Sequence, residues 1–210
     1  MTDPLATIIT TTSHVPSNPS TVQIEQTLRS IRKYSELSAA PHIVVCDGLK
    51  DGTPAQQQDY RMYVDKLRSL ASSDAPCDAN PFCNTTVLEL PEHRHIAHAI
   101  KAAADTVETP LIVVHQHDFE WKDGIPLDQI WRTMRTDLAV NHVGLCQFAN
   151  RGCCNHDTHK HALGSMGLCS AEAHSTVADM YSFYGYSDND HFTRTSFYKD
   201  VVMPVVGDRH

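Results

Sequence analysis

Three side chains able to ligate a metal, His115, His117 and Asp118, follow directly on the apolar run Leu111-Ile112-Val113-Val114. Four apolar residues after Pro110, three of them β-branched, read as a buried strand. In an open α/β sheet the carboxyl ends of central strands are where ligands bind. A carboxylate so close to an apolar run also needs a partner for its charge. On an extended strand His115 and His117 share a face, while Asp118 points the other way unless the strand has already ended. A hard divalent cation prefers oxygen ligands, and Mn²⁺ tolerates imidazole better than Mg²⁺ does. The bland alternative is a surface turn that happens to carry two of the chain's 14 histidines.

Four further groups compete for a role. Thr10 to Ser13 and Asp47 end two strand candidates, so both face the crevice that LIVV feeds; Asp47-Gly48 is also a common turn. His93-Arg94-His95 opens an Ala-rich helix, where Arg94 suits a bound diphosphate better than an empty helix N-terminus. His156, His159 and His161 lie near Cys153 and Cys154 without the paired spacing of a zinc knuckle, and read as a polar lid loop. Asp188 and Asp190 stand beside Tyr181, Phe183, Tyr184 and Tyr186, a pairing of carboxylates and rings that suits a sugar. No G-x-S-x-G, P-loop or G-x-G-x-x-G is present.

The elements that must position these residues alternate. Leu5 to Thr12 reads as a strand. A helix follows from Ser20 or Thr21 with Val22, Ile24, Leu28 and Ile31 on one side, and His42 to Gly48 is a second strand. That is a right-handed βαβ unit. Gln56 to Leu70 reads as a helix, Thr85 to Leu90 as a strand, and Glu92 to Val107 as a helix leading into LIVV. Beyond it come a helix over Leu127 to Thr136, a strand over Val140 to Phe148, an irregular stretch from Asn150 to Ser170, and a strand-like end that turns helical near Ser196 to Val201. The prediction is an α/β chain with a mostly parallel sheet flanked by helices, one domain over 1–210 or the N-terminal part of a longer polypeptide.

Composition narrows the partners. A chain of 210 residues with 41% hydrophobic and 20% charged residues is of ordinary globular make-up. A net charge of −8 without a basic run argues against nucleic acid and anionic membranes. No membrane span or signal peptide is legible. Seven cysteines at irregular spacing fit free thiols in a reducing compartment, so a cytoplasmic location is expected.

This order of features resembles the GT-A glycosyltransferases that use nucleotide sugars. It carries a first strand with the loop SHVPSNPSTVQIEQTLRSI, a strand ending in Asp (IVVCDG), a helix with a basic residue, and LIVVHQHDFEW where that family has its Asp-x-Asp metal motif. Within the family it looks most like the chlorovirus-encoded domains involved in capsid-protein glycosylation, which would place it in host cytoplasm. The resemblance implies a GT-A (Rossmann-like) fold and transfer from a nucleoside-diphosphate sugar, UDP preferred, to a glycan or glycoprotein hydroxyl. It implies Thr10, Thr12 and Asp47 on the nucleotide, Arg94 near the diphosphate, His117 among the donor-binding residues, and Asp118 with His115 on a divalent metal, Mn²⁺ before Mg²⁺. A base would come from Asp188, Asp190 or Asp208. A His replaces the first Asp of the motif. Two rival readings stand beside this one: a metal-dependent hydrolase using His115, His117 and Asp118, and a non-catalytic nucleotide-sugar-binding module.

Overall fold

A computed structural model describes residues 4–13, 20–145 and 190–206. β1 (Ala6–Thr12), α1 (Val22–Arg32), β2 (His42–Cys46), α2 (Pro54–Ala71), β3 (Thr85–Glu89), α3 (His95–Asp105) and β4 (Leu111–Gln116) alternate along the chain. α4 (Leu127–Thr136), β5 (His142–Gly144) and β6 (His191–Arg194) follow, and 195–206 is helical, with a π turn over Tyr198–Val202. The sheet order is β3-β2-β1-β4-β6-β5. Its first four strands are parallel, and β6 runs antiparallel to both β4 and β5. This is the α/β fold expected from the sequence, a mostly parallel sheet flanked by helices.

Alternation along the strands divides the core. Ala6, Ile8, Leu111, Val113 and Phe192 face Ile31 of α1 and Ile130, Trp131 and Met134 of α4. On the same side Val44 and Cys46 meet Ile24 and Leu28 of α1 and Tyr60, Tyr63, Val64 and Leu67 of α2. The opposite face buries Ile9, Val45, Ile112 and Val114 under α3 and under Tyr198 and Met203. Ala99, Ala103 and Ala104 present little more than backbone to the sheet, which is how α3 lies so close to it. α2 begins at a capping box: the Thr53 hydroxyl accepts the Gln56 N–H, the Gln56 side-chain Oε1 accepts the Thr53 N–H, and Pro54 opens the helix.

Some expectations need correction. Val22 is 52% exposed, so the buried stripe of α1 begins at Ile24. α3 starts at His95 rather than Glu92, because 90–94 runs across the end of β2. β5 holds three residues of the strand expected over 140–148: 140, 141 and 145 are not strand, and 146–148 lie outside the described residues. Cys77 and Cys83 form a disulfide, against the expectation of free thiols; Cys46 is free and buried. The turn-rich loop 72–84 folds back on itself and brings the two together, a proximity that irregular spacing does not announce. Among the described residues no helix is long and apolar enough to cross a membrane.

Candidate functional site

The chain passes from β1 through β2 to β3, then crosses back to lay β4 on the other side of β1. The sheet's topological switch point therefore falls between β1 and β4, where open α/β sheets bind ligands. Three loops meet at the carboxyl ends of these strands: Asp47-Gly48 after β2, 90–94 after β3, and His117-Asp118 after β4.

β4 ends at Gln116, so His117 and Asp118 lie in a turn, closed by the Phe119 N–H donating to the Gln116 carbonyl at 3.2 Å. Asp118 is exposed and His117 half-buried. The turn releases Asp118 from the strand's alternation, so its carboxylate stands in solvent beside the switch point.

His115 takes a different place. Its ring is fully buried, its Nε2–H donates to the Phe119 carbonyl at 3.0 Å, and its Nδ1 lies 3.3 Å from the Thr10 hydroxyl. Burial lowers its pKa to about 4, against the opposing effect of the Phe119 carbonyl, and keeps the ring neutral. With both nitrogens engaged, His115 has no lone pair facing the crevice. The expected His115–Asp118 metal pair is not formed, because the strand still alternates at position 115 and sends that side chain into the core.

Thr10 and Thr12, expected on the nucleotide, are likewise turned inward. Thr10 is fully buried, and its hydroxyl joins His115 to the Nε2 of His42 at 2.9 Å; His42 Nδ1 is 3.0 Å from the Thr85 hydroxyl. One polar side chain from each of β4, β1, β2 and β3 thus links in a row through an otherwise apolar face, each group satisfying its neighbour. Burial, and then the charge of Arg32, keeps the pKa of His42 well below its usual value. Thr12 is buried with its hydroxyl 2.7 Å from that of Tyr63.

Asp47 is at the crevice, half-buried, with Oδ1 accepting the Arg94 N–H at 2.8 Å and Oδ2 lying 2.9 Å from His93 Nδ1. Its charge thus holds the first residues of the α3 entry against the end of β2. Arg94 is exposed, and its Nε donates to Glu92 at 2.8 Å. The Arg94 guanidinium therefore stands in solvent at the helix N-terminus, already paired with a carboxylate. His95 follows at φ 67°, a left-handed conformation that a residue with a Cβ adopts at a cost of about 1 kcal/mol. Gly48 permits this junction: a Cβ there would stand 2.4 Å from the Glu92 carbonyl carbon.

Asp190 is the remaining carboxylate at the end of β4, and it is fully buried. It accepts the Gln116 N–H at 2.9 Å and the Trp121 indole N–H at 2.5 Å. Burial raises its pKa to about 7; the two hydrogen bonds oppose the rise and the charge of Asp118 adds to it. The expectation of Asp190 as a solvent-facing base or sugar ligand is corrected: the carboxyl lies beneath the turn, out of reach of an acceptor. Asp188 and Asp208, the aromatic residues from 181 to 186, and His156, His159 and His161 lie outside the described residues.

Sequence reasoning passed over Trp121 and Gln116, and named His93 and Gly48 only as neighbours of Arg94 and Asp47. Trp121 carried a signal, since a tryptophan buried beside an apolar strand needs an acceptor for its N–H. Gln116 acts through its backbone, and backbone roles leave no mark on residue type.

For a divalent metal, the exposed carboxylate of Asp118 and the adjacent imidazole of His117 are suitable donors. Among the described residues, no three His, Cys, Asp or Glu side chains gather to hold an ion by themselves. The donor set therefore fits a cation whose other ligands come from phosphate oxygens and water, and does not fit a closed structural site.

No protein-family model matches the chain, and no curated protein matches it. Solved structures do. S. aureus TarS, residues 1–349, superposes with a TM-score of 0.51 at 15% identity over 93% of this chain and 48% of TarS. The same TarS fragment in complex with UDP-GlcNAc gives 0.51 at 14%, over 93% of this chain and 46% of that one. Glucosyl-3-phosphoglycerate synthase from Mycobacterium tuberculosis, in complex with Mn²⁺, UDP and phosphoglyceric acid, gives 0.52 at 10%, over 93% of this chain and 57% of the synthase. At these identities the likeness is one of fold, the GT-A arrangement. The chain spans about half the length of these structures.

Proposed function

We propose that the chain is a metal-dependent glycosyltransferase that moves a sugar from a nucleoside-diphosphate sugar, a UDP-sugar by preference, to a hydroxyl of a glycan or glycoprotein. The observation that carries this reading is the exposed Asp118 in a turn at the end of β4, beside the switch point of a GT-A sheet. The solved structures with UDP-GlcNAc, or with UDP and Mn²⁺, share that fold and support the choice of ligand class. The closer affinity to chlorovirus domains, and the host cytoplasm it implies, rest on the sequence resemblance.

In this reading Asp118, with His117 beside it, holds the divalent cation, Mn²⁺ before Mg²⁺. The cation supplies positive charge against the leaving diphosphate. Asp47 reaches the nucleoside from the end of β2 by whatever lone pairs the His93 and Arg94 contacts leave. Arg94 swings from Glu92 to the diphosphate, and the positive end of the α3 dipole, whose first turn contains no acidic residue, favours the same anion. Thr10 and Thr12 act only through the strand they stiffen. The acceptor's proton is assigned to Asp188 or Asp208. A hydrolase built on His115, His117 and Asp118 loses its first ligand to the core, which is why it ranks second.

The test is calorimetric titration with UDP and a panel of UDP-sugars, in Mn²⁺ and then in EDTA, on the wild type and on Asp118→Ala. Metal-dependent binding lost in the variant is the expected result. Absence of nucleotide binding under either condition overturns the reading. Binding that persists in Asp118→Ala favours the non-catalytic module.

A further inference from the structure

We infer that Asp190, acting with Trp121 and His115, is a positioning residue that holds the 116–119 turn so that Asp118 and His117 are presented to the crevice. The inference rests on the glycosyltransferase reading for what the turn binds, but its geometry stands apart from it.

The turn is only four residues long, yet the exposed Asp118 and the half-buried His117 project from a backbone fixed on every side from below. The antiparallel β4–β6 ladder ends at the Val114–His191 pair. Just past it, Asp190 extends a carboxylate where the next ladder partner would be, and Oδ1 takes the Gln116 N–H. Oδ2 takes the Trp121 indole N–H, tying the far side of the loop to the same carboxyl. From the strand, His115 Nε2–H holds the Phe119 carbonyl. Residues 115, 116, 119 and 121 are thus each fixed by a hydrogen bond, and 117 and 118 are left between them.

Trp121 is itself immobilised. Its ring lies edge-on to Tyr34 and His115 at 5.7 and 5.9 Å and is tilted against Phe192 at 5.7 Å. Its backbone N–H donates to the Ser30 hydroxyl at 2.8 Å, and Lys33 Nζ donates to its carbonyl at 3.1 Å. The indole is therefore a fixed donor, and α1 is the anchor from which the loop is aimed. A carboxylate fully buried at this point is costly by itself. The carboxyl serves two N–H donors at once, one on each oxygen, whereas an amide in its place would turn a donor NH₂ towards one of them.

Three variants in the full chain test this: Trp121→Phe, which keeps the aromatic packing and removes the N–H; Asp190→Asn, which keeps the shape and one acceptor; and Asp118→Ala. Mn²⁺ binding is read by electron paramagnetic resonance with and without UDP, and the fold by amide and indole N–H resonances. Trp131→Phe serves only to assign the Trp121 indole signal. The expected result is a 10–100-fold loss of Mn²⁺ affinity in Trp121→Phe and in Asp190→Asn. The Trp121 indole proton should also shift in Asp190→Asn, with amide changes confined to 115–122 and 190–192. Wild-type Mn²⁺ affinity in both variants overturns the inference. So does a loss accompanied by shifts throughout β1 and β2, which marks a general structural role. Should Asp190→Asn not fold, Trp121→Phe alone decides between these outcomes. Failure of the underlying reading shows separately, as Mn²⁺ affinity that is unchanged in Asp118→Ala.

Discussion

The Trp121 indole N–H donates to Asp190 at 2.5 Å across a sequence separation of 69 residues, and both side chains are shut away from water. Burial lifts the carboxyl's pKa to about 7. In the unfolded chain it returns to about 3.9. The folded state therefore holds the proton more tightly. Its stabilising effect is complete below about pH 4 and is lost as pH rises towards 7, after which the contribution is flat. The difference between the two values corresponds to at most about 4 kcal/mol. Urea denaturation from pH 4.5 to 8 should show wild-type stability falling more steeply than that of Asp190→Asn, which has no ionisation to suppress. Parallel pH dependence in the two proteins would refute this.

Arg32 is buried at the end of α1, and its guanidinium donates to the carbonyls of Leu37, Ser38, Ala40, Pro81 and Cys83. Burial lowers its pKa to about 10, so it remains charged at neutral pH. Replacement by Met fills much of the volume but removes one donor from each of five carbonyls, of which those of Leu37, Ser38 and Cys83 keep a second. The expected cost is about 3 kcal/mol, little relieved by salt. Arg32→Lys should recover only a small part, since an ammonium cannot fan out to two loops. A midpoint within about 0.5 kcal/mol of wild type for Arg32→Met would contradict this.

The Cys77–Cys83 disulfide closes a loop of sequence separation six whose carbonyls at 81 and 83 are two of those acceptors. Loop-closure entropy for so short a ring is about 2 kcal/mol. Cys77→Ser should lose about that much stability without changing UDP affinity, because the loop lies below α1 and away from the strand ends. Denaturation with and without reductant should reproduce the difference in the wild type and leave the variant unmoved.

Much of the fold was legible because parallel strands covered on both faces must be apolar throughout. IVVC and LIVV have that character, and Leu127 to Thr136 shows the helical alternation of α4 at its observed bounds. The site was legible to the level of its loops: Asp47 and Asp118 stand at strand ends as expected. What a side chain faces there depends on the residue at which the strand stops. β4 continues through Gln116, which sends His115 inward and frees Asp118, and β1 continues through Thr12. The Asp190–Trp121 contact joins positions far apart in sequence, so no local pattern carries it. The same holds for Arg32, whose burial reads in sequence as an ordinary basic residue near a helix C-terminus.

Gly48 and Gly52 offer a paired test of how the crevice is built. An alanine Cβ at 48 would stand 2.4 Å from the Glu92 carbonyl carbon and 2.7 Å from its Cα and oxygen, all backbone. The 92–94 segment would have to move, and with it the Arg94 N–H that Asp47 holds at 2.8 Å. At Gly52 the added Cβ meets Leu49 Cδ2 at 2.4 Å, the far end of a side chain that can turn aside. Gly48→Ala should therefore cost about 1–3 kcal/mol. It should also weaken UDP binding in Mn²⁺ several-fold, because the end of β2 and the entry to α3 no longer meet. Gly52→Ala should stay within about 0.5 kcal/mol of wild type with UDP affinity unchanged. Denaturant midpoints and UDP titrations of the two variants decide the matter. Equal behaviour would mean that the β2–α3 junction yields as easily as a leucine side chain, and that Asp47 owes its place to something other than the backbone packed on Gly48.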